Sequence, residues 1–593
     1  MDKQNYRNIV LAGVLTLVIL IGWDWGLRWF YPDANKPQPV VAASPTPTAT
    51  ASPAVHTRDG GLTDPADIAE EKRDLKTALA VPARVPIAAP GLSGSINLVG
   101  ALVDDLTTNR HTATQQKADG PQRIFSPAGT PAHHFAQFGW AAGDGAAPVA
   151  LPNAATVWTA PAGAKLTDKS PVTLSWSNGA GQTFTLSYAI DADYMLTVTQ
   201  NVSNAGPAPV AVKPIANLNR TSKTASVDTW NVHAGPFGAF DGTVSFGPDY
   251  DEVAEPGTLT VPGKPDWIGF TDIYWMSTLI PGQPGATSDF RADQSGIYGA
   301  NLFYPQVSVA PGQSATRTTR LFAGAKETTV LDRYEASGIA NFGLAIDWGW
   351  FRWFEKPIFW LLNKLFELAG NFGVAIILLT MIVRGAMFPV AQRQFASMAA
   401  MRAIQPKMKA IQERYKDDKP KLQEEVMALY KKEGVNPLAG CLPIFLQIPI
   451  FFALYKVLIL AVEMRHQPFA LWIKDLSAPD PLHILNLFGL LDFTVPSWLG
   501  IGILAVLLGI TMWLQFKLNP APMDPVQEQM FAIMPWMMMF IMAPFAAGLL
   551  IYWITSNVLT IAQQKYLYAQ HPQLKAQGEK EAADAKRAKE RKA

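Results

Sequence analysis

The hydrophobic rhythm of the chain changes several times from end to end. A continuous apolar run, Ile9–Phe30, follows Lys3 and Arg7 and closes on Trp23, Trp25 and Trp29. A membrane span needs about 20 mostly apolar residues, and Trp favours the membrane interface. The run therefore predicts a transmembrane helix. A cleavable signal peptide is the rival, but bulky aromatics stand where a small-residue cleavage site belongs. No comparable run recurs before residue 340. Apolar segments then crowd together at Phe372–Ala391, Leu442–Val462, Leu499–Phe516, Gln529–Ala543 and Leu549–Tyr568, which predict five more spans.

Between the first span and the rest lies a different pattern. Residues 32–90 are rich in Pro, Ala, Thr and Ser and read as an extended linker. From 91 to 340 short alternating runs such as PVTLSWSN, QTFTLSYAI and YMLTVTQNVSN are punctuated by Gly, Pro, Asn and Asp, the pattern of an all-β domain. Residues 341–370 place Arg352, Lys356, Asn363 and Glu367 on one helical face with Trp and Phe around the rest, which predicts an amphipathic helix in the membrane interface. Met398, Met401, Ile404, Met408, Ile411 and Tyr415 form one apolar stripe. KDDKP makes a turn, and Leu422, Val426, Leu429 and Tyr430 form a second stripe, so 392–440 reads as a helical hairpin. The spans then occupy 1–31, 371–391, 441–463, 499–516, 529–545 and 546–568. Loops fall at 464–498 and 517–528, and a tail at 569–593.

Charge sets the orientation. Of the 593 residues only 16% are charged, against about 25% in soluble domains, and the formal net charge is +1. The 384–440 region carries 11 basic residues against 6 acidic, and the tail after Gln570 carries 7 against 4. Residues 32–340 hold 20 basic against 27 acidic. Basic loops stay cytoplasmic, so both termini and the hairpin are expected inside and the β domain outside. Cys441 is the only cysteine, which excludes an intramolecular disulfide or a cysteine-cluster metal site. His111, His133, His134 and His233 show no recurring metal spacing. The carboxylate clusters Asp104–Asp105 and Asp249–Glu252 read as turns and solvated edges. No GxxxxGK[ST] is present.

The residue that calls for explanation is Arg384, inside FGVAIILLTMIVRGAMFPVA. At 1.5 Å per residue it lies ~18 Å from the outer edge of its predicted span. A guanidinium there costs about 2.5–3.5 kcal/mol and cannot lose its proton. Snorkelling to the inner face is one way out; a water-filled cavity between helices is the other. Candidate partners are Gln447, between Pro443 and Pro449, and the stripe Trp553, Asn557, Thr560 and Gln564 with Ser556 and Gln563 beside it. No intramembrane acid stands ready to pair with the arginine, unlike the acidic relays of transporters. Met534 and Met538, with Phe445 and Phe451, are candidates for an apolar slide, and Met398, Met401 and Met408 for adaptable contacts on the hairpin. Lys456 is expected to snorkel outward.

The stretches IVRGAMFPVAQRQFASMAAMRAIQPKMKAIQERY (382–415), ALYKKEGVNPLAGCLPIFLQIPIFFALY (428–455), FALWIKDLSAPDP (469–481) and YWITSNVLTIAQQ (552–564) resemble the YidC/Oxa family of membrane protein insertases in its bacterial six-span form. The resemblance implies an α-helical membrane bundle. It would have a five-helix insertase core around a hydrophilic groove and a periplasmic β-supersandwich similar to sugar mutarotases. It places the groove arginine on Arg384 and its polar neighbours on Gln447, Asn557 and Thr560, with Trp553 where a tyrosine is common. It implies a non-enzymatic inner-membrane insertase and chaperone without cofactor. Its partners would be nascent membrane proteins, the ribosome and signal recognition particle pathway, the Sec translocon and the lipid bilayer. The segment 482–500 is longer than the family leads one to expect. A solute transporter or a carbohydrate-acting enzyme are the rivals. An inverted repeat or an acid-paired site would favour transport, and a carboxylate pair in an outer pocket would favour an enzyme.

Overall fold

The computed structural model describes residues 74–570 apart from 82, 145–148, 225, 227–231, 294–295, 416–417, 434–441, 489, 492–499 and 519–524. The predicted first span, most of the predicted linker, Cys441 and the basic tail lie outside the described residues.

Two antiparallel sheets form the first half. The ten-stranded sheet runs in the order Arg84–Ala88, Leu92–Asn97, Leu102–Thr112, His134–Ala142, Val210–Thr221, Ile297–Phe303, Thr287–Ala292, Thr258–Leu259, with Pro121–Phe125 and Val307–Val309 added on. The eight-stranded sheet runs Thr243–Phe246, Gly235–Phe240, Pro265–Thr271, Trp275–Pro281, Ser314–Ala325, Met195–Asn204, Gln182–Ile190, Val172–Ser177. Period-two alternation builds the core between them. In Gln182–Ile190 the side chains of Phe184, Leu186, Tyr188 and Ile190 are buried, each contributing roughly 1.5–3 kcal/mol. From the opposite sheet Trp140 meets Phe184 edge-on at 5.0 Å and Phe138 meets Tyr188 at 6.3 Å.

The β fold starts earlier than the composition suggests. The strand Arg84–Ala88 lies inside the stretch read as linker, because Val85 and Ile87 bury against Ile96 and Leu92 while Pro86 is tolerated on this edge strand. Residues 74–79 are helical as well.

The helical half comprises α1 (Arg352–Ala369), α2 (Phe372–Ala386), α3 (Phe388–Arg414), α4 (Lys419–Glu433), α5 (Leu442–Leu460), α6 (Ile503–Leu518), α7 (Pro525–Met542) and α8 (Ala547–Gln570). Among the described residues no single helix is long and apolar enough to cross a membrane alone. The pair Phe372–Ala386 and Phe388–Phe395, bent by 55°, has the length and composition together. The bend divides the predicted segment Phe372–Ala391: Pro389, in the first turn of α3, has no N–H to donate to the Gly385 carbonyl, so helix α2 does not continue into α3. Arg384 therefore sits in the last turn of a helix, where the carbonyl end of the dipole favours a cation. Helix α6 starts at Ile503 instead of Leu499, because Asp480 Oδ2 accepts from the Leu504 N–H at 2.8 Å and caps it from a distant loop.

Helices α3 and α4 pack as a hairpin through Ile404, Met408 and Leu429, tied by Lys407–Glu433 at 2.7 Å. Met408 is thus buried glue in the hairpin. The side chains of Met398 and Met401 lie outside the described residues. Helix α1 buries Ile358, Phe359 and Leu362 and exposes Trp353, Trp360 and Leu368.

Candidate functional site

Helices α2, α3, α5, α6, α7 and α8 surround a cavity of about 570 Å³. Its wall is mainly apolar, supplied by Met387, Phe395, Phe451, Met534, Met538 and Leu567 among others. Arg384, Gln447, Trp553, Ser556, Asn557 and Thr560 all line it, so the stripe on α8 and the polar residues on α2 and α5 meet at one place. Met534, Met538 and Phe451 line it too, while Met530 and Met537 are exposed and Trp536, also exposed, lies on the opposite face of α7. The Phe445 side chain lies outside the described residues.

Arg384 is held sparsely. Its Nε donates to Ser556 Oγ at 3.0 Å, and a second guanidinium nitrogen reaches the same oxygen. Among the described residues it forms no ion pair. Gln563 Nε2 donates to the Arg384 carbonyl at 3.4 Å, which helps to close the end of α2. Asn557 Nδ2 donates to Thr511 Oγ1 at 3.2 Å, and Thr560 Oγ1 to the Ser556 carbonyl at 2.7 Å. Gln447 Nε2 donates to Tyr552 Oη, but its Oε1 is buried without a partner among the described residues. Such an acceptor costs roughly 1–3 kcal/mol. The cavity thus offers one charge with unused donor capacity and a free amide oxygen.

Gln394 and Gln515 also line the cavity and were not singled out from sequence. They lie near the ends of their helices, where a polar residue looks like an ordinary boundary. Tyr552 was overlooked because its ring suits an apolar span, and only its hydroxyl contact marks it.

The end of the bundle facing the β domain is packed shut. Phe469 lies where a side chain on Gly373 would be, 2.0 Å from an added Cβ, so only glycine fits. The N–H groups of Ala547 and Gly548 donate to the Ala478 and Leu476 carbonyls at 2.8 and 2.9 Å. Arg465 is buried; its guanidinium donates to the Thr112 and Ala113 carbonyls at 2.8 and 2.9 Å and lies 5.1 Å from the Trp275 ring. Burial brings it down to about 10. Lys456 donates to the Asp347 carbonyl at 2.9 Å, so it does point toward the β domain. Lys326, fully buried beside Thr271, is brought down to about 8 by desolvation, and burial lifts Glu355 to about 7.

The other sequence candidates have structural partners. Arg84 pairs with Asp104 and Arg123 with Asp105. The Asp249 N–H donates to Glu252 at the start of a short helix. His134 hydrogen-bonds Ser277 at 2.8 Å, and His111 meets Glu327 at 3.0 Å. Among the described residues no group of three His, Cys, Asp or Glu could hold a metal ion.

An all-β domain joined to an apolar helical bundle with a charged internal cavity defines an integral membrane protein with an attached sandwich. The family described as YidC periplasmic domain matches residues 84–361, and the 60Kd inner membrane protein family matches 364–575. The membrane protein insertase YidC of Zymomonas mobilis is 42% identical over 96% of both chains. That of Rhizobium etli is 41% identical over 96% of both. A solved structure titled as an active YidC insertase with its first transmembrane domain resolved is 19% identical, with a TM-score of 0.35, covering 82% of this chain and 95% of that one. The chain belongs to the YidC family of membrane protein insertases, inner-membrane proteins that act on nascent membrane proteins.

Proposed function

We propose that the cavity around Arg384 receives the hydrophilic segment of a nascent membrane protein while its apolar segment leaves sideways into lipid. The observation that carries this reading is a half-buried guanidinium bonded to one hydroxyl, with no carboxylate partner among the described residues. An incoming acidic or polar segment supplies the missing acceptors. Arg384, Gln447, Asn557 and Thr560 offset part of its desolvation, which shortens its path through hydrocarbon. Met534, Met538 and Phe451 give the apolar segment a wall to slide along, and transfer to lipid drives it out. No bond is made or broken, so the role is non-enzymatic and needs no cofactor.

The reading includes six spans with both termini in the cytoplasm and the β domain in the periplasm, supported by the excess of basic residues at 384–440 and in the tail. That basic surface suits a ribosome delivered with the signal recognition particle, and the lipid-facing helices suit the Sec translocon as neighbour.

The test is photocrosslinking from positions Gln447, Thr560 and Trp536 to a stalled nascent chain. Adducts to the client's hydrophilic segment are expected from Gln447 and Thr560 and not from Trp536, exposed on the opposite face of α7. Equal adducts from Trp536, or none from the cavity positions, contradict the reading.

A further inference from the structure

The segment between α5 and α6 carries an apolar surface that the groove does not use. Between Asp480 and Asp492 there is no Asp, Glu, Lys or Arg. Ile484, Leu485, Leu487, Phe488, Leu490 and Leu491 are all exposed, Leu490 at 82%. A contiguous run of exposed leucines and a phenylalanine on an aqueous loop is an aggregation liability and marks a surface that meets something apolar.

Two further observations say what it meets. First, much of its described backbone is closed on itself. The N–H groups of Leu487, Phe488, Leu490 and Leu491 donate to the carbonyls of Ile484, His483, Leu487 and Asn486 at 2.9–3.3 Å. Internal satisfaction of the main chain is what hydrocarbon demands of any segment and what water does not. Second, the segment is tied to the start of α6. His483 bridges to Gly502, and the Ile484 N–H donates to the Ile501 carbonyl at 3.0 Å. From there the exposed face of α6 continues through Leu507, Ile510 and Leu514, one face of an apolar helix in a membrane protein. The loop surface thus extends a lipid-facing surface beyond the end of the helix. Its side of the membrane is fixed by the same connection, because Arg465 and Asp475 in this connection bond Thr112, Ala113 and Gln115 of the β domain.

We propose that residues 482–491 form a monotopic apolar wedge that inserts into the lipid leaflet facing the β domain. The occupant is the acyl-chain and headgroup boundary of that leaflet. Leu487 and Phe488 both adopt left-handed backbone angles, φ 49° and 62°, which turn the segment back on itself and leave its leucines outside. The wedge anchors the outer end of α6 beside the groove, independently of how clients use Arg384.

The full chain, with Cys441→Ser, is reconstituted in nanodiscs of phosphatidylethanolamine and phosphatidylglycerol. Single cysteines at Leu485 and Leu490 are spin-labelled and compared with one at Ile510 on α6 and one at the exposed Lys474. Collision with oxygen and with a water-soluble nickel chelate is read at each. At both 485 and 490, a several-fold excess of oxygen over nickel collision is expected, intermediate between Ile510 and Lys474. Nickel collision at both sites equal to that at Lys474 overturns the proposal in favour of an aqueous loop. Low collision with both reagents overturns it in favour of a covering protein, either a second copy or another membrane helix.

Discussion

Two arginines, Arg465 buried and Arg384 half-buried, divide the helical region between them. Arg465 is held on several sides: two backbone carbonyls accept from it, Gln122 Oε1 lies at 3.5 Å, and two aromatic rings flank it, while its Nε is buried without a partner among the described residues. Arg384, some eighty residues earlier, has a serine hydroxyl and a cavity. Each carries a cost of removing its guanidinium from bulk water. At Arg465 most of that cost is offset within the fold, which welds the loop after α5 to the β domain. At Arg384 a single hydroxyl of the protein offsets it and the rest is left to whatever fills the cavity, so in the proposed reading water gives way to a ligand that brings acceptors. One arginine packs an end of the bundle, and the other, in the proposed reading, keeps a site ready for a ligand.

The sharpest way to break the comparison is to change each arginine in turn. Arg384→Ala in proteoliposomes is expected to lower insertion of a client with an acidic outer segment about tenfold, which corresponds to ~1.4 kcal/mol, while Arg384→Lys keeps most of it. Equal rates for all three proteins would show that the charge is idle. Arg465→Met leaves the Thr112 and Ala113 carbonyls without their donor, at about 1–3 kcal/mol each. It should lower the thermal midpoint of the detergent-solubilised protein while changing insertion by the folded fraction less than about twofold. An insertion defect as large as that of Arg384→Ala would erase the distinction.

Smaller effects test the sealed end alone. Gly373→Ala forces its new methyl onto Phe469, and overpacking of this kind costs roughly 1–3 kcal/mol; an unchanged midpoint would mean that this end is loosely packed. Lys326 titrates at about 8 when folded and at 10.5 ordinarily. Between those values the unfolded chain binds more protons, so stability should rise as pH rises from about 8 to 10.5 and be flat for this group below 8. Lys326→Met should remove that rise, and a wild-type midpoint that stays level across the window would contradict the buried, desolvated lysine.

The contrast also explains what could be read from the sequence. Arg384, Gln447 and the α8 stripe stand out because each is polar within an apolar run, and helical spacing alone brings Trp553, Asn557 and Thr560 to one face. The alternation in QTFTLSYAI likewise announces a strand with one buried face. Arg465 was invisible, since its acceptors are main-chain carbonyls 353 and 352 residues away and carry no sequence signature. The break between α2 and α3 was missed because an apolar run reads the same whether straight or bent. The late start of α6 depends on Asp480, a cap 24 residues upstream of the N–H it satisfies. Local periodicity reveals faces; it does not reveal which distant group closes them.

The proposed reading requires the Arg384 cavity, whose wall includes Val390, Ala391 and Gln394 at the start of α3, to be wet and reached from the hairpin side, while the Arg465 end is shut. It is tested most directly by thiol accessibility. In a Cys441→Ser background, a cysteine at Thr560 is treated with a membrane-impermeant maleimide in inside-out and in right-side-out vesicles. The account predicts rapid labelling of inside-out vesicles and almost none of right-side-out vesicles. Labelling from the β-domain side, or protection on both sides, would contradict it.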